Sequence, residues 1–389
     1  MSNAVTARAQ FASVPLLNGA AQLCQLLAMV TFGSSEGIVA YSLLVAADLI
    51  VKVFAAYSFQ ELAITIRERD FVSEGIISGC VAGLIGAGAG VYLGGWRIGV
   101  EALVLAGSGL AAGLTVPPQI RLTRAKDFQR LQRFLVLPLV AGSLAAVVGF
   151  WGGLDGASAI LFIAAGSLVR VSLVYDIAKR QDSCGIDWSI YNKGALLFFD
   201  KIVQAITQNL DRFIVGSCFG AALAAPYVLA SQSVSFPVRL ISPMLERVVL
   251  AQAYSLGGCA MMWRRICYGA GVLLALMAVC IGLFAFFIVS WGGAGAAGYA
   301  YALSICLLWG VALKRVASLI MGPLELRVAG TRKYVILNFA ELLLLFMAGW
   351  MARDPSGFAM WYGAGGVVLT VVAGVWYYNY IEGRGINEI

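Results

Sequence analysis

Almost the whole chain is a succession of apolar stretches long enough to cross a lipid bilayer, and a few charged groups sit inside them. That pattern constrains both fold and use. In hydrocarbon every backbone N–H and C=O must be satisfied internally, so uninterrupted apolar stretches of this length form helices. An ionised side chain at bilayer depth is costly and marks a functional path or a buried partner. The densest case is residues 198–220, FFDKIVQAITQNLDRFIVGSCFG, where four charges and several amides interrupt one stretch.

A spanning helix needs roughly 20 predominantly apolar residues. The sequence divides into about twelve such stretches: 10–31, 35–59, 75–95, 98–118, 134–152, 155–177, 194–218, 222–244, 266–289, 294–315, 333–351 and 357–380. Apolar residues make up 61% of the chain, against about half for a soluble domain, and the mean hydropathy is +0.87. The remaining loops are short and leave no room for a soluble catalytic domain. The first apolar stretch is long enough to span, so it is expected to act as its own targeting signal rather than as a cleaved leader.

Charge supplies the orientation. Twenty of the basic residues fall at the two ends of the chain or in even-numbered loops, against two, Arg97 and Arg353, in odd-numbered ones. The positive-inside bias then places both termini in the cytoplasm. It also accounts for the net charge of +7 without a nucleic-acid partner. The longest polar break, residues 179–193, KRQDSCGIDWSIYNK, separates six spans from six. The expected fold is therefore an all-α integral membrane protein of about twelve transmembrane helices in two six-helix halves, residues 1–185 and 186–389. Two halves of like orientation fit a transporter built from parallel repeats.

The chain has no histidine and eight cysteines without a CxxC pair. Histidine-based nucleophile pairs and proton relays are excluded. The thiols read as buried and reduced, and no metal or cofactor is expected. The basic segment 121–134, RLTRAKDFQRLQRF, has apolar residues at 122, 128, 131 and 134. It fits either an interfacial helix on the anionic inner leaflet or a solvated connection.

Helical spacing shows what accompanies the intramembrane charges. Asn18, Gln22 and Gln25 share a face of the first span. In the second, Asp48 and Lys52 are four apart and can pair. The seventh carries Asp200, Gln204, Thr207, Gln208 and Asp211 in a stripe flanked by Lys201 and Arg212. The eighth aligns Ser231, Ser235 and Arg239, and contains Pro226 and Pro237, with Pro243 at its inner end. Proline permits the bending that a moving helix needs, although a static kink explains each proline equally well. These four helices are the first pair of each half, so the halves are expected to face each other through them across a polar space.

Depth adds a second point. Lys52, Arg170, Lys201 and Arg239 fall in the cytoplasmic half of the bilayer, and Arg212 beyond the midplane. A cationic inner half suits an anionic group such as pyrophosphate, bound by charge-assisted hydrogen bonds. Structural readings stand beside this one. Asp48 and Lys52 can neutralise each other, Asp211 and Arg212 can clamp helices together, and the amides can join helices. Arg170, near a span end, is expected to snorkel to the interface.

The run 209–255, NLDRFIVGSCFGAALAAPYVLASQSVSFPVRLISPMLERVVLAQAYS, resembles the seventh and eighth spans of the Wzx-type oligosaccharide flippases. These are polysaccharide transporters of the multidrug/oligosaccharidyl-lipid/polysaccharide exporter superfamily. Asp211, Arg212, Gly216, Gly220, Tyr227 and Pro237 carry the match. The resemblance implies a V-shaped transporter with a cationic cavity lined by the first, second, seventh and eighth spans. It would carry an undecaprenyl-pyrophosphate-linked oligosaccharide from the inner to the outer leaflet of a bacterial cytoplasmic membrane for O-antigen, capsule or exopolysaccharide assembly. Lys52, Lys201, Arg212, Arg239, Gln22 and Gln208 are then the candidate pyrophosphate- and sugar-binding residues. The implied partners are the lipid-linked oligosaccharide, membrane lipids, and assembly proteins such as a polymerase.

A lipid II flippase and a cation-coupled drug exporter are the alternatives on the same fold. A drug exporter needs no basic cluster. A membrane-bound polymerase or glycosyltransferase needs larger loops with catalytic groups than this chain has. No phosphate-binding GxxxxGK[ST] loop is present. The driving force is therefore expected to be an ion gradient, the membrane potential or downstream consumption, with Asp48, Asp200 and Asp211 as candidate coupling acids.

Overall fold

A computed structural model of the protein describes residues 2–57, 71–94, 99–125, 127–177, 187–233 and 331–383, with isolated positions at 59–66 and 301–308. Among the described residues the chain is helical, with no strand. The helices are α1 (Ser2–Phe32), α2 (Ser35–Ala56), α3 (Val72–Leu93), α4 (Val100–Arg124), α5 (Phe128–Trp151), α6 (Asp155–Ile177), α7 (Trp188–Phe219), α8 (Thr331–Met351) and α9 (Pro355–Gly383). A further helical stretch, 221–233, follows α7 after Gly220, whose φ of 74° is a conformation that suits glycine. Among the described residues, five helices are long and apolar enough to cross a membrane: Ser35–Ala56, Val72–Leu93, Val100–Arg124, Gln129–Trp151 and Asp155–Val174. The protein is a multi-pass membrane protein. The expected ninth span and most of the tenth lie outside the described residues.

Helix boundaries follow local chemistry. Ser34 caps α2, its Oγ accepting from the Gly37 N–H at 3.1 Å, while its own N–H donates to Asp155 Oδ2 at 2.7 Å. One carboxylate at the start of α6 thereby ties the α1–α2 turn to α6. Asp127 caps α5 through the Arg130 N–H at 3.1 Å. Asp354 caps α9 through the Gly357 N–H at 2.6 Å, and Pro355 takes the first helical position, where no amide proton is needed.

Contact clustering divides the chain into two compact units, Met1–Arg212 and Phe213–Ile389. The division falls inside α7.

In the first unit α3 lies along α4, α1 and α6 pack on α5, and α2 packs on α3, α4 and α6. The α3–α4 seam is made of glycine. Gly75, Gly79, Gly83, Gly86 and Gly90 run down one face of α3, against Gly109 and Gly113 of α4. A Cβ on Gly109 would lie 2.6 Å from the Gly83 backbone nitrogen, and one on Gly86 would lie 2.6 Å from the Leu105 carbonyl oxygen. Only residues without a side chain let the backbones approach this far, which is how helices gain dispersion contacts where lipid offers no hydrophobic drive.

The structure resolves segment 121–134 in neither expected way. Residues 121–124 finish α4, and α5 begins at Phe128. Leu122, Leu131 and Phe134 are buried together, with Leu135, Leu173 and Val174 packed around them. Those apolar positions face protein rather than the leaflet.

In the second unit α8 packs on α9. Glu341, buried on α8, accepts a 2.9 Å hydrogen bond from the Tyr362 hydroxyl on α9. Tyr227 packs edge-on against Phe358, with centroids 5.4 Å apart. Tyr92, Trp151, Trp188 and Trp350 are exposed at helix ends, where amphipathic rings suit the membrane–water interface.

Candidate functional site

Asp48 is completely buried on α2, in the middle of an apolar helix. An isolated carboxylate there would carry a desolvation cost of several kcal/mol. Two groups offset it. Lys52, one turn on, forms an ion pair and hydrogen bond with Asp48 Oδ2. Ser108, buried on α4, donates to Asp48 Oδ1 at 2.5 Å. The lysine side chain keeps 18% of its surface accessible, whereas the carboxylate keeps none. The pair thus presents its cationic end outward from a sealed anionic base.

A third group joins from α6. Arg170 is half-buried on this helix, near the Asp48–Lys52 pair. α6 packs on both α2 and α4, which places the arginine in the neighbourhood of Asp48. One carboxylate and two cations leave a surplus positive charge, which suits an anionic ligand.

The polar face of α1 is also formed. Gln22 Nε2 donates to Asn18 Oδ1 at 3.1 Å, and Gln25 Nε2 donates to the Tyr41 hydroxyl on α2 at 2.5 Å. Asn18 and Gln25 are buried, and Gln22 is half-buried. The Tyr41 ring packs against Phe150 and Phe162.

On α7 the stripe splits by burial. Thr207, Asp211 and Arg212 are buried, while Asp200, Lys201, Gln204 and Gln208 are half-buried. Thr207 and the neighbouring Asn209 bond back to carbonyls one turn earlier, Val203 at 2.5 Å and Ala205 at 2.8 Å. This local bonding gives Thr207 a structural use that its place in the stripe did not reveal. Ser231 is buried on the stretch 221–233, while Ser235, Pro237, Arg239 and Pro243 lie outside the described residues.

The structure therefore brings Asp48 and Lys52 together and places Gln22 on the neighbouring polar face of α1. Sequence reasoning missed Ser108, because a serine between two glycines, Gly107 and Gly109, reads as a packing residue. It also missed Glu341, although that carboxylate sits in the stretch LNFAELLLLF and carries the same intramembrane-charge signal as Asp48. Glu74, 1% exposed at the start of α3, was passed over because it falls just outside the expected span.

Residues 100–291 match the sequence profile of a family described as polysaccharide biosynthesis protein. No curated protein sequence matches the chain. Solved structures similar to it over nearly their whole length include three of note. One is an inward-facing multidrug resistance MATE family transporter of the MOP superfamily, at 15% identity and TM-score 0.56, covering 97% of this chain and 96% of that one. Another is a mutant of the Vibrio cholerae MATE transporter VcmN, at 11% identity and TM-score 0.62, covering 99% of each. The third is the lipid II flippase MurJ in an inward closed conformation, at 13% identity and TM-score 0.59, covering 95% of this chain and 87% of that one. At these identities the likeness establishes the fold, which is that of the MOP-type transporters.

Proposed function

We propose that this chain is a flippase that moves an undecaprenyl-pyrophosphate-linked oligosaccharide from the inner to the outer leaflet of a bacterial cytoplasmic membrane. It works by alternating access between two six-helix halves and is not an enzyme. The observation that carries this reading is the buried Asp48–Lys52 ion pair inside a transporter fold, with the lysine at its accessible end and Arg170 nearby as a second cation. The match to a polysaccharide biosynthesis family supports the substrate class. Arg and Lys hold phosphate oxygens by charge-assisted hydrogen bonds, and an anionic headgroup entering from the cytoplasmic leaflet is the ligand such a site suits. Lys201, Arg212, Arg239, Gln22 and Gln208 complete the proposed binding set, and Asp48, Asp200 and Asp211 are the proposed coupling acids.

Lipid II flipping is the alternative within the same chemistry, since it shares the diphosphate and differs in the sugar. Cation-coupled drug export is the other alternative on this fold, and the surplus positive charge disfavours it for cationic drugs. Purified protein in proteoliposomes distinguishes the three. Flipping of a short undecaprenyl-pyrophosphate oligosaccharide, without flipping of lipid II and without export of a cationic dye, is the expected result. Dye export alone would replace this reading with the third.

A further inference from the structure

The end of α7 that the charge bias assigns to the cytoplasm is built into the first unit by contacts of several kinds. Tyr57, just past the end of α2, donates its hydroxyl to the Tyr191 carbonyl oxygen at 2.6 Å. The Tyr191 hydroxyl in turn donates to the Glu74 carbonyl oxygen on α3 at 3.1 Å. The Glu74 carboxylate accepts the Asp187 N–H at 3.2 Å, and Asp187 caps α7 through the Ser189 N–H at 3.0 Å. Aromatic rings fill the space between. Tyr57 packs on Phe59, Tyr191 and Phe198, with centroids 5.4, 4.8 and 4.2 Å away, and Phe54 meets Phe198 edge-on at 5.6 Å. Phe59, Phe71, Ile120 and Ile190 are buried in one cluster. Arg124, from the end of α4, closes this layer by donating to the carbonyl oxygens of Ala63 and Ile66 at 3.3 and 2.6 Å.

We infer that the opening turns of α7, residues 188–198, are a permanent docking point on the first unit and stay seated on α2, α3 and α4 throughout the transport cycle. The inference rests on the alternating-access reading above. Undocking would expose several rings at once and leave the buried Glu74 carboxylate without the Asp187 amide. Tyr57 also holds the left-handed backbone conformation, φ 39° and ψ 33°, that turns the chain off α2 toward this contact. A conformation so rarely adopted by a non-glycine residue persists where its surroundings over-determine it. The dock thus supplies the immobile end from which α7 carries its polar stripe into the bilayer, and the gate lies elsewhere.

Spin labels at Ala125→Cys and Asn192→Cys test this, since both positions are exposed and neither side chain makes one of the docking contacts described above. In a full-length, cysteine-depleted protein in lipid, pulsed EPR should give one distance. That distance should persist without ligand, with undecaprenyl pyrophosphate, and under an imposed proton or Na⁺ gradient. A second population in any of these states overturns the inference. Adding Tyr57→Ala and Glu74→Ala should broaden the distance distribution, and an unchanged distribution would show that these residues do not make the dock. Failure to flip the oligosaccharide with a single persistent distance counts against the proposed function alone. Flipping accompanied by two distances counts against the dock alone.

Discussion

The Ser108 hydroxyl on α4 donates a 2.5 Å hydrogen bond to the Asp48 carboxylate on α2, and both groups are buried. The bond joins two helices through the same acid that holds Lys52. The acid is therefore a junction of two partners rather than half of an isolated pair. Replacing Ser108 by Ala should leave one carboxylate oxygen without this donor, at a cost of about 1–3 kcal/mol in stability. Replacement of Asp48 by Asn should be tolerated better by Ser108 than by Lys52, because an amide oxygen still accepts a hydroxyl but no longer balances an ammonium. If Asp48 couples flipping to a cation, Asp48→Asn should also abolish the response of proteoliposome transport to an imposed proton or Na⁺ gradient. A response equal to that of the parent protein would leave Asp48 a purely structural acid.

Lys52→Ala should impair flipping strongly while the protein still reaches the membrane. Loss of one charge-assisted contact to a phosphate is worth about 1.5–3 kcal/mol, or about a 10- to 150-fold loss of affinity. Arg239→Ala is expected to act in the same direction, and exchange of either for the other basic residue should retain part of the activity. Full export by the double alanine variant would remove the diphosphate from the account.

The glycine seam carries its own control. Gly107 and Gly109 lie two residues apart on α4, yet a Cβ on Gly107 meets nothing within 4 Å, whereas one on Gly109 meets the Gly83 backbone at 2.6 Å. Gly109→Ala should destabilise the protein by about 1–3 kcal/mol through overpacking. Gly107→Ala should be neutral or mildly stabilising, since alanine is the better helix former. Thermal unfolding in detergent checks the pair, and equal melting temperatures would contradict the close α3–α4 approach.

The proposed orientation rests on the loop charges and is open to direct measurement. Reporter fusions at Gly94 and Gly293 should read as external, and fusions at Lys126 and Thr331 as cytoplasmic. A C-terminal fusion that reads as external would invert the proposed direction of transport.

Tyr191 offers a pH-dependent signature of the dock. Burial, followed by the nearby Glu74 charge, pushes its phenol up to about 12. A group whose folded-state value exceeds its unfolded value of about 10 contributes stability that is complete below pH 10 and lost as pH rises toward 12. Phenolate absorbance from the parent protein, minus that from Tyr191→Phe, should therefore titrate above pH 10, and the dock should loosen over the same interval. A difference spectrum that titrates at pH 10 or below would place Tyr191 in solvent.

Much of this protein was legible in one dimension. The apolar stretches marked the helices, and the Asp48–Lys52 spacing announced an ion pair. These are local matters, decided by transfer from water and by helical period. Tertiary structure decided what each helix faces. Leu122, Leu131 and Phe134 could have met lipid, and they meet one another. Asp48 could have been half of an isolated pair, and Ser108 of α4 also bonds it. Ser108 and Glu74 carried no signal beyond their residue type, and each became a junction only when a second helix arrived. The reason is that lipid tails and the protein interior are about equally apolar. A hydropathy pattern records that a residue has left water, and only the packing of helix on helix determines whether it has gone to lipid, to another side chain, or to a site.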